Sequence, residues 1–172
     1  MINDDEELQH DAQWLIRNAI DVLDFTDHDG VHPRFGIVDV VPYVALDERD
    51  RDRARSLRDA TAAWMGDLDI PVFLYGLVGG HERTLPDVRR RAFRDLAPDF
   101  GPATPEWNTG AAAVGERPLL MAWNMYVDGL TSEQVRRAAS QVRGDGIRTL
   151  ALRVGPRWQV RSEEHTSELQ SH

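Results

Sequence analysis

Apolar runs of strand length alternate along this chain with amphipathic stretches of helical period, and that alternation admits few folds. Ile37–Leu46 (IVDVVPYVAL), Pro71–Tyr75 (PVFLY), Leu119–Val127 and Ile147–Val154 are rich in β-branched and apolar residues and read as strands. Pro42 cannot donate to a strand ladder, so the first of these is expected at a sheet edge, at a bulge or with an early end. Between the runs, Leu8, Ala12, Leu15, Ile16, Ala19, Ile20 and Leu23 recur at helical spacing and predict a helix over Glu6–Leu23. Ala54, Leu57, Ala60, Ala63 and Trp64 mark one face of a second helix within Asp47–Met65. Leu85–Leu96 is a third, with Pro86 in its first turn. Thr131 and Gln134 form a capping-box pair that opens a fourth, closed near Gly144, and Trp158–Val160 begins a hairpin partner for the last strand. The result is an α/β (α+β) chain: a mixed β-sheet with helices packed on one face.

The 172 residues suffice for one real core and are few for two independent domains. Twenty basic side chains against 29 acidic ones leave a net charge of −9, which repels a nucleic-acid backbone. Arg89, Arg90, Arg91 and Arg94 cluster, but on a short helix they are expected to form a solvated face. No cysteine is present, which removes disulfides and thiolate metal sites. No apolar run reaches the roughly 20 residues that a membrane span requires, and the acidic N-terminus is unlike a secretory signal, so a cytoplasmic location is expected. Arg161–His172 (RSEEHTSELQSH) has no structural period and matches the in-frame translation of a common sequencing adapter. It is expected to lie outside the fold, with the natural frame continuing past Val160.

Two loops carry residues suited to chemistry. Phe25–Gly36 (FTDHDGVHPRFG) holds two histidines four apart, but on a loop, with no third ligand in view; no metal is expected there. Pro33 biases His32 towards an extended backbone, and Arg34 can fork onto a carboxylate. An imidazole suits proton transfer near neutral pH, although the same residues also suit a plain surface histidine. The second loop lies within the long irregular stretch Ala97–Gly115. Gly101, Pro102, Ala103, Thr104, Pro105, Glu106, Trp107, Asn108, Thr109 and Gly110 combine backbone freedom, hydroxyls, an amide and an indole. That set fits a flat heteroaromatic ligand and equally a mobile surface loop. Gly76–Gly80 lacks the spacing of a phosphate-binding loop.

The stretch His28-Asp-Gly-Val-His-Pro-Arg-Phe-Gly-Ile-Val-Asp-Val-Val-Pro42 resembles the signature of the formiminotransferase family, a His-x-Gly-Glu-His-Pro-Arg loop running into Leu-Asp-Val-x-Pro. Ile70–Gly76, Arg83–Pro86, Ala97–Pro102 and Leu119–Asn124 resemble further family segments in the same order, so the likeness spans about Ala12 to Val160. It departs at Val31, where the family has Glu, and within Pro105–Asn108.

The resemblance implies an incomplete ferredoxin-like N-terminal subdomain over 1–117, the start of a C-terminal subdomain over 118–160, and an extraneous tail over 161–172. Family members open with two further strands and carry a full second subdomain, so this chain is expected to be a fragment, inactive by itself and weak in binding. The implied reaction moves a formimino group between N-formimino-L-glutamate and tetrahydrofolate in histidine breakdown. By the same resemblance, His32 is the catalytic residue, Asp39 orients or charge-stabilises it, Arg34 binds substrate, and Gly101–Gly110 contacts folate. Tetrahydrofolate is then a co-substrate and glutamate a product. The implied partners include no nucleic acid and no membrane, and a homo-oligomer is compatible with them. A folate-binding or interaction module without the chemistry is the alternative.

Overall fold

The computed structural model describes residues 5–27, 29–32 and 34–165, with side chains through 163. It divides into two compact units, one of residues 1–28 and 34–117, the other of residues 29–33 and 118–172.

In the first unit, helix α1 (Asp5–Val22) precedes strand β1 (Val40–Ala45), a 3-10 turn (Glu48–Asp50) and helix α2 (Arg51–Gly66). Strands β2 (Val72–Val78) and β3 (His81–Arg83), helix α3 (Leu85–Arg91) and strand β4 (Ala112–Pro118) follow. The sheet order is β1-β4-β2-β3. β2 runs parallel to β4, with Val72 opposite Ala112 and Tyr75 opposite Gly115, and antiparallel to β3, so the sheet is mixed. β1 lies at one end of it, where Pro42 costs no ladder bond.

Alternation along β2 and β4 builds two cores. Val72, Leu74, Ala112 and Val114 face α1 and α2 and bury Ile16, Leu57, Ala62 and Met65. Phe73, Tyr75, Ala111 and Ala113 face the other way and bury Val88 of α3, with Phe35 and Leu96 packed alongside. The one-face arrangement therefore holds for α1 and α2, whereas the short α3 takes the opposite face. The inward face of α2 is Ala54, Leu57, Arg58, Thr61, Ala62 and Met65; Ala60, expected inside, is exposed. Arg58 is tolerated there because its guanidinium donates to the Tyr75 and Leu77 carbonyls at the end of β2. Glu116, fully buried on β4, accepts from Arg51 at 2.7 Å. On α1 only Ile16 is buried, with Ile20 packed beside it; Leu15 and Leu23, expected on the inner face, are exposed.

Two strands lie outside the sequence reading. Gly76–Val78 pair with β3 as the end of β2, and the hairpin turns at Gly79 and Gly80, both at positive φ. Ala112–Gly115, read as loop, is the buried first half of β4. Small alanines gave no strand signal, yet they fit where helices press on both faces of the sheet.

In the second unit, β5 (Leu120–Val127), α4 (Ser132–Val142), β6 (Ile147–Val154) and β7 (Arg157–His165) form an antiparallel sheet in the order β5-β7-β6. The Thr131–Gln134 capping box forms, and Val135 and Ala139 bury against Val160. The Thr149 hydroxyl donates to the Ala139 carbonyl at 2.5 Å, tying α4 to β6. β7 corrects the reading of the tail. Residues 161–165 continue the central strand, paired on both sides through Glu164, and Ser162 is buried. Ladder pairing uses backbone groups, so a strand already held by Arg157–Val160 extends through polar residues. Residues 166–172 lie outside the described ones. Among the described residues, no helix is long and apolar enough to cross a membrane.

Candidate functional site

The segment that follows the histidine loop is pinned by a short polar chain. The Asp39 carboxylate sits just before β1 and accepts the Phe35 backbone N–H through Oδ1 at 2.9 Å. Its Oδ2 accepts from Nη2 of Arg89 on α3. The Asp39 carbonyl takes the Ala113 N–H at 3.0 Å, which fixes it to β4. Phe35 packs its ring 6.1 Å from Phe73, and the Arg89 guanidinium lies over that ring at 5.5 Å. Arg34 donates to the Phe25 carbonyl at 2.9 Å and lies over the Phe25 ring at 4.9 Å.

The glycine-rich loop is anchored at both ends. Its stem is held by Asp99, whose Oδ2 accepts from the Leu74 N–H at 2.8 Å and from Arg83 at 2.6 Å. Gly101 then turns at φ +77°, so close to the Ile70 carbonyl that an added Cβ would lie 2.2 Å from its oxygen. At the far end the Gly110 N–H closes a turn onto the Glu106 carbonyl at 2.9 Å. Between these anchors the side chains project outward, and Trp107 is 73% exposed.

The two segments meet at a backbone crossing. Gly36 bridges Gly110, the Ile37 N–H donates to the Thr109 carbonyl at 2.9 Å, and the Ala111 N–H donates to the Phe35 carbonyl at 2.8 Å. Phe25 joins them through an N–H to the Asn108 carbonyl at 3.3 Å. No side chain fits in this crossing: a Cβ on Gly36 would lie 1.9 Å from the Ala111 oxygen, and one on Gly110 2.4 Å from the Phe35 oxygen. Residues 74 positions apart in sequence, Gly36 and Gly110, are thus locked together. On the α1 side, Thr109 also lines a cavity of about 220 Å³ with Arg17, Ile20, Asp21, Leu68 and Ile70.

Of the predicted site residues, Arg34, Asp39 and the whole of Gly101–Gly110 therefore belong to one unit, with Asp39 and the end of the loop gathered about Phe35 and Gly36. His32 is exposed and belongs to residues 29–33, which group with the second unit. His28 and Pro33 lie outside the described residues. Sequence reasoning placed Arg89 on a solvated face and so missed its contact with Asp39. The signal was available in the spacing: Leu85 and Ala92 flank it at helical intervals, which puts Arg89 at the rim of the stripe that Val88 buries. Among the described residues, no three His, Asp or Glu side chains converge as a metal site would require.

Comparison with known proteins decides the family. The model of the formiminotransferase domain, N-terminal subdomain, matches residues 1–117, well over half of the chain. The chain belongs to the formiminotransferase family. It is 30% identical over 158 residues to a glutamate formimidoyltransferase of Streptococcus pyogenes serotype M1, covering 85% of this chain and 53% of that protein. A glutamate formimidoyltransferase of Thermoplasma acidophilum is 30% identical over 142 residues, covering 74% of this chain and 46% of its own length. The formimidoyltransferase-cyclodeaminase of Sus scrofa is 31% identical over 157 residues, which cover 82% of this chain and 28% of that longer protein. This formiminotransferase chain thus spans about half the length of the curated single-activity relatives it matches.

Proposed function

We propose that the chain carries part of the active site of a glutamate formimidoyltransferase, a cytoplasmic enzyme that passes the formimino group of N-formimino-L-glutamate to tetrahydrofolate in histidine degradation. The observation that carries this reading is the Gly36–Gly110 crossing, which joins the segment after the His-Pro-Arg loop to the glycine-rich loop. The activities for which the relatives are named support the reaction class.

In this reading His32, two residues along the chain from Arg34, is the general base of the transfer. A folate nitrogen attacks the formimino carbon, and His32 accepts the proton from that nitrogen. The bond from the formimino carbon to the glutamate nitrogen then breaks, and His32 returns the proton to the departing nitrogen. Trp107, exposed on its loop, supplies a flat face for the folate ring, with Asn108 and Thr109 offering hydrogen bonds beside it. Arg34 supplies positive charge for a substrate carboxylate, and Asp39 holds the segment that presents it.

The test separates turnover from binding, with the variants made in a protein of the relatives' full length. His32→Ala should lower formimino transfer by about 10²- to 10⁴-fold while tetrahydrofolate binding stays near that of the parent chain. Trp107→Ala should do the reverse, raising the Kd for tetrahydrofolate more than it lowers turnover at saturation. Undiminished transfer by His32→Ala would remove the base from the mechanism. Tetrahydrofolate binding without transfer in the parent chain would favour a folate-binding module.

A further inference from the structure

We propose that Arg89 is a positioning residue: through Asp39 it fixes the backbone of Phe35, and so anchors the end of the His-Pro-Arg segment that joins the sheet. The inference rests on the reading of that segment as the catalytic loop, although its geometry stands by itself.

Phe35 is held on every side that a rigid anchor requires. Its N–H is taken by Asp39 Oδ1 at 2.9 Å, and its carbonyl receives the Ala111 N–H at 2.8 Å. Its ring packs against Phe73 and under the Arg89 guanidinium. Of these contacts, the one to Asp39 depends on a side chain that could rotate away. Asp39 has 23% of its side chain exposed and Arg89 has 22%, so the pair is partly screened from water and worth more than a surface ion pair. The planar group of Arg89 gives an N–H to Asp39 Oδ2 and a face to Phe35. A guanidinium can do both at once, whereas an ammonium keeps the charge and loses the flat contact. Each Asp39 oxygen thereby has a donor. This makes Asp39 a holder of the loop.

The experiment measures hydrogen exchange at individual backbone amides in the whole chain, with formimino transfer followed in parallel. In Arg89→Ala, the Phe35 amide should exchange at least about tenfold faster, with amides of β2 and α2 unchanged; Arg89→Lys should fall between. Arg89→Ala combined with Asp39→Ala should accelerate the Phe35 amide by less than the product of the two single effects, because both break one chain of contacts. In turnover, Arg89→Ala should lower kcat and leave tetrahydrofolate binding within about twofold, with partial recovery in Arg89→Lys. Unchanged Phe35 exchange in Arg89→Ala would overturn the proposal. So would acceleration spread evenly over β2 and β4, which marks general destabilisation. A parent chain without transfer activity would count against the proposed function alone, since the exchange result still judges Arg89.

Discussion

At the scale of single residues, the site depends more on missing atoms than on added ones. Gly36 allows two backbones to approach where any Cβ would strike the Ala111 carbonyl. Gly36→Ala should therefore cost about 2 kcal/mol of stability in urea unfolding, as overpacked positions do, and should weaken tetrahydrofolate binding by displacing the end of the Gly101–Gly110 loop. Gly79→Ala is the comparison. Its Cβ meets nothing within 4 Å, but its φ of +58° strains an alanine, so a loss of about 1 kcal/mol with unaltered binding is expected. Equal effects of the two substitutions on binding would deny the crossing a role in the site. Gly115 serves the core in a related way, its bare α-carbon facing the Tyr75 ring across the parallel strand pair.

At the scale of elements, β7 shows how a sheet recruits sequence that carries no strand pattern. Residues 161–165 pair with Leu120–Asn124 of β5, and residues 161–164 with Ile147–Leu150 of β6. Removing residues 161–172 takes the middle strand from that half of the sheet and leaves both neighbours with unpaired backbone groups. The shortened chain should lose more than about 1 kcal/mol of stability in its second unit, read from hydrogen exchange across β6. Identical protection in the two lengths would return these residues to the incidental role first expected of them. α4 needs no such help, because its capping box and its Val135–Ala139 stripe are both local features.

At the scale of the whole molecule, the titration chemistry is unusually simple because the chain contains no lysine. Tyrosines are thus the side chains that titrate between pH 10 and 12, flanked by arginines that stay charged. Burial pushes the Tyr75 phenol up to about 12, offset in part by the nearby Arg117. Burial also raises Tyr43, offset by its hydrogen bond to Thr61. A folded-state pKa above the unfolded value of about 10 gives stability that is complete below pH 10 and lost as the pH rises towards 12. Urea unfolding at pH 9 and pH 11.5 should show this loss, and Tyr75→Phe should reduce its slope while leaving the part due to Tyr43. An alkaline loss unchanged in Tyr75→Phe would show that Tyr75 does not drive it.

The chain's local chemistry was legible in its sequence wherever period or composition carried it. Helices α1, α2 and α4, strands β1, β5 and β6, the constraint that Pro42 sets on its strand and the family likeness all rest on residues close together in the chain. Strand β4 was not legible, since Ala111–Ala113 have no strand signature until helices press on both faces of the sheet. Nor was the contact of Arg89 with Asp39, which spans 50 positions and exists because α3 crosses the face on which Phe35 packs. The sequence by itself determined which segments would be helix or strand and which loops held chemically able residues. Only the tertiary structure decided which of those residues meet, because β2 pairs in parallel with β4 and draws Gly110 onto Gly36, and neighbour patterns along a chain do not encode so distant a pairing.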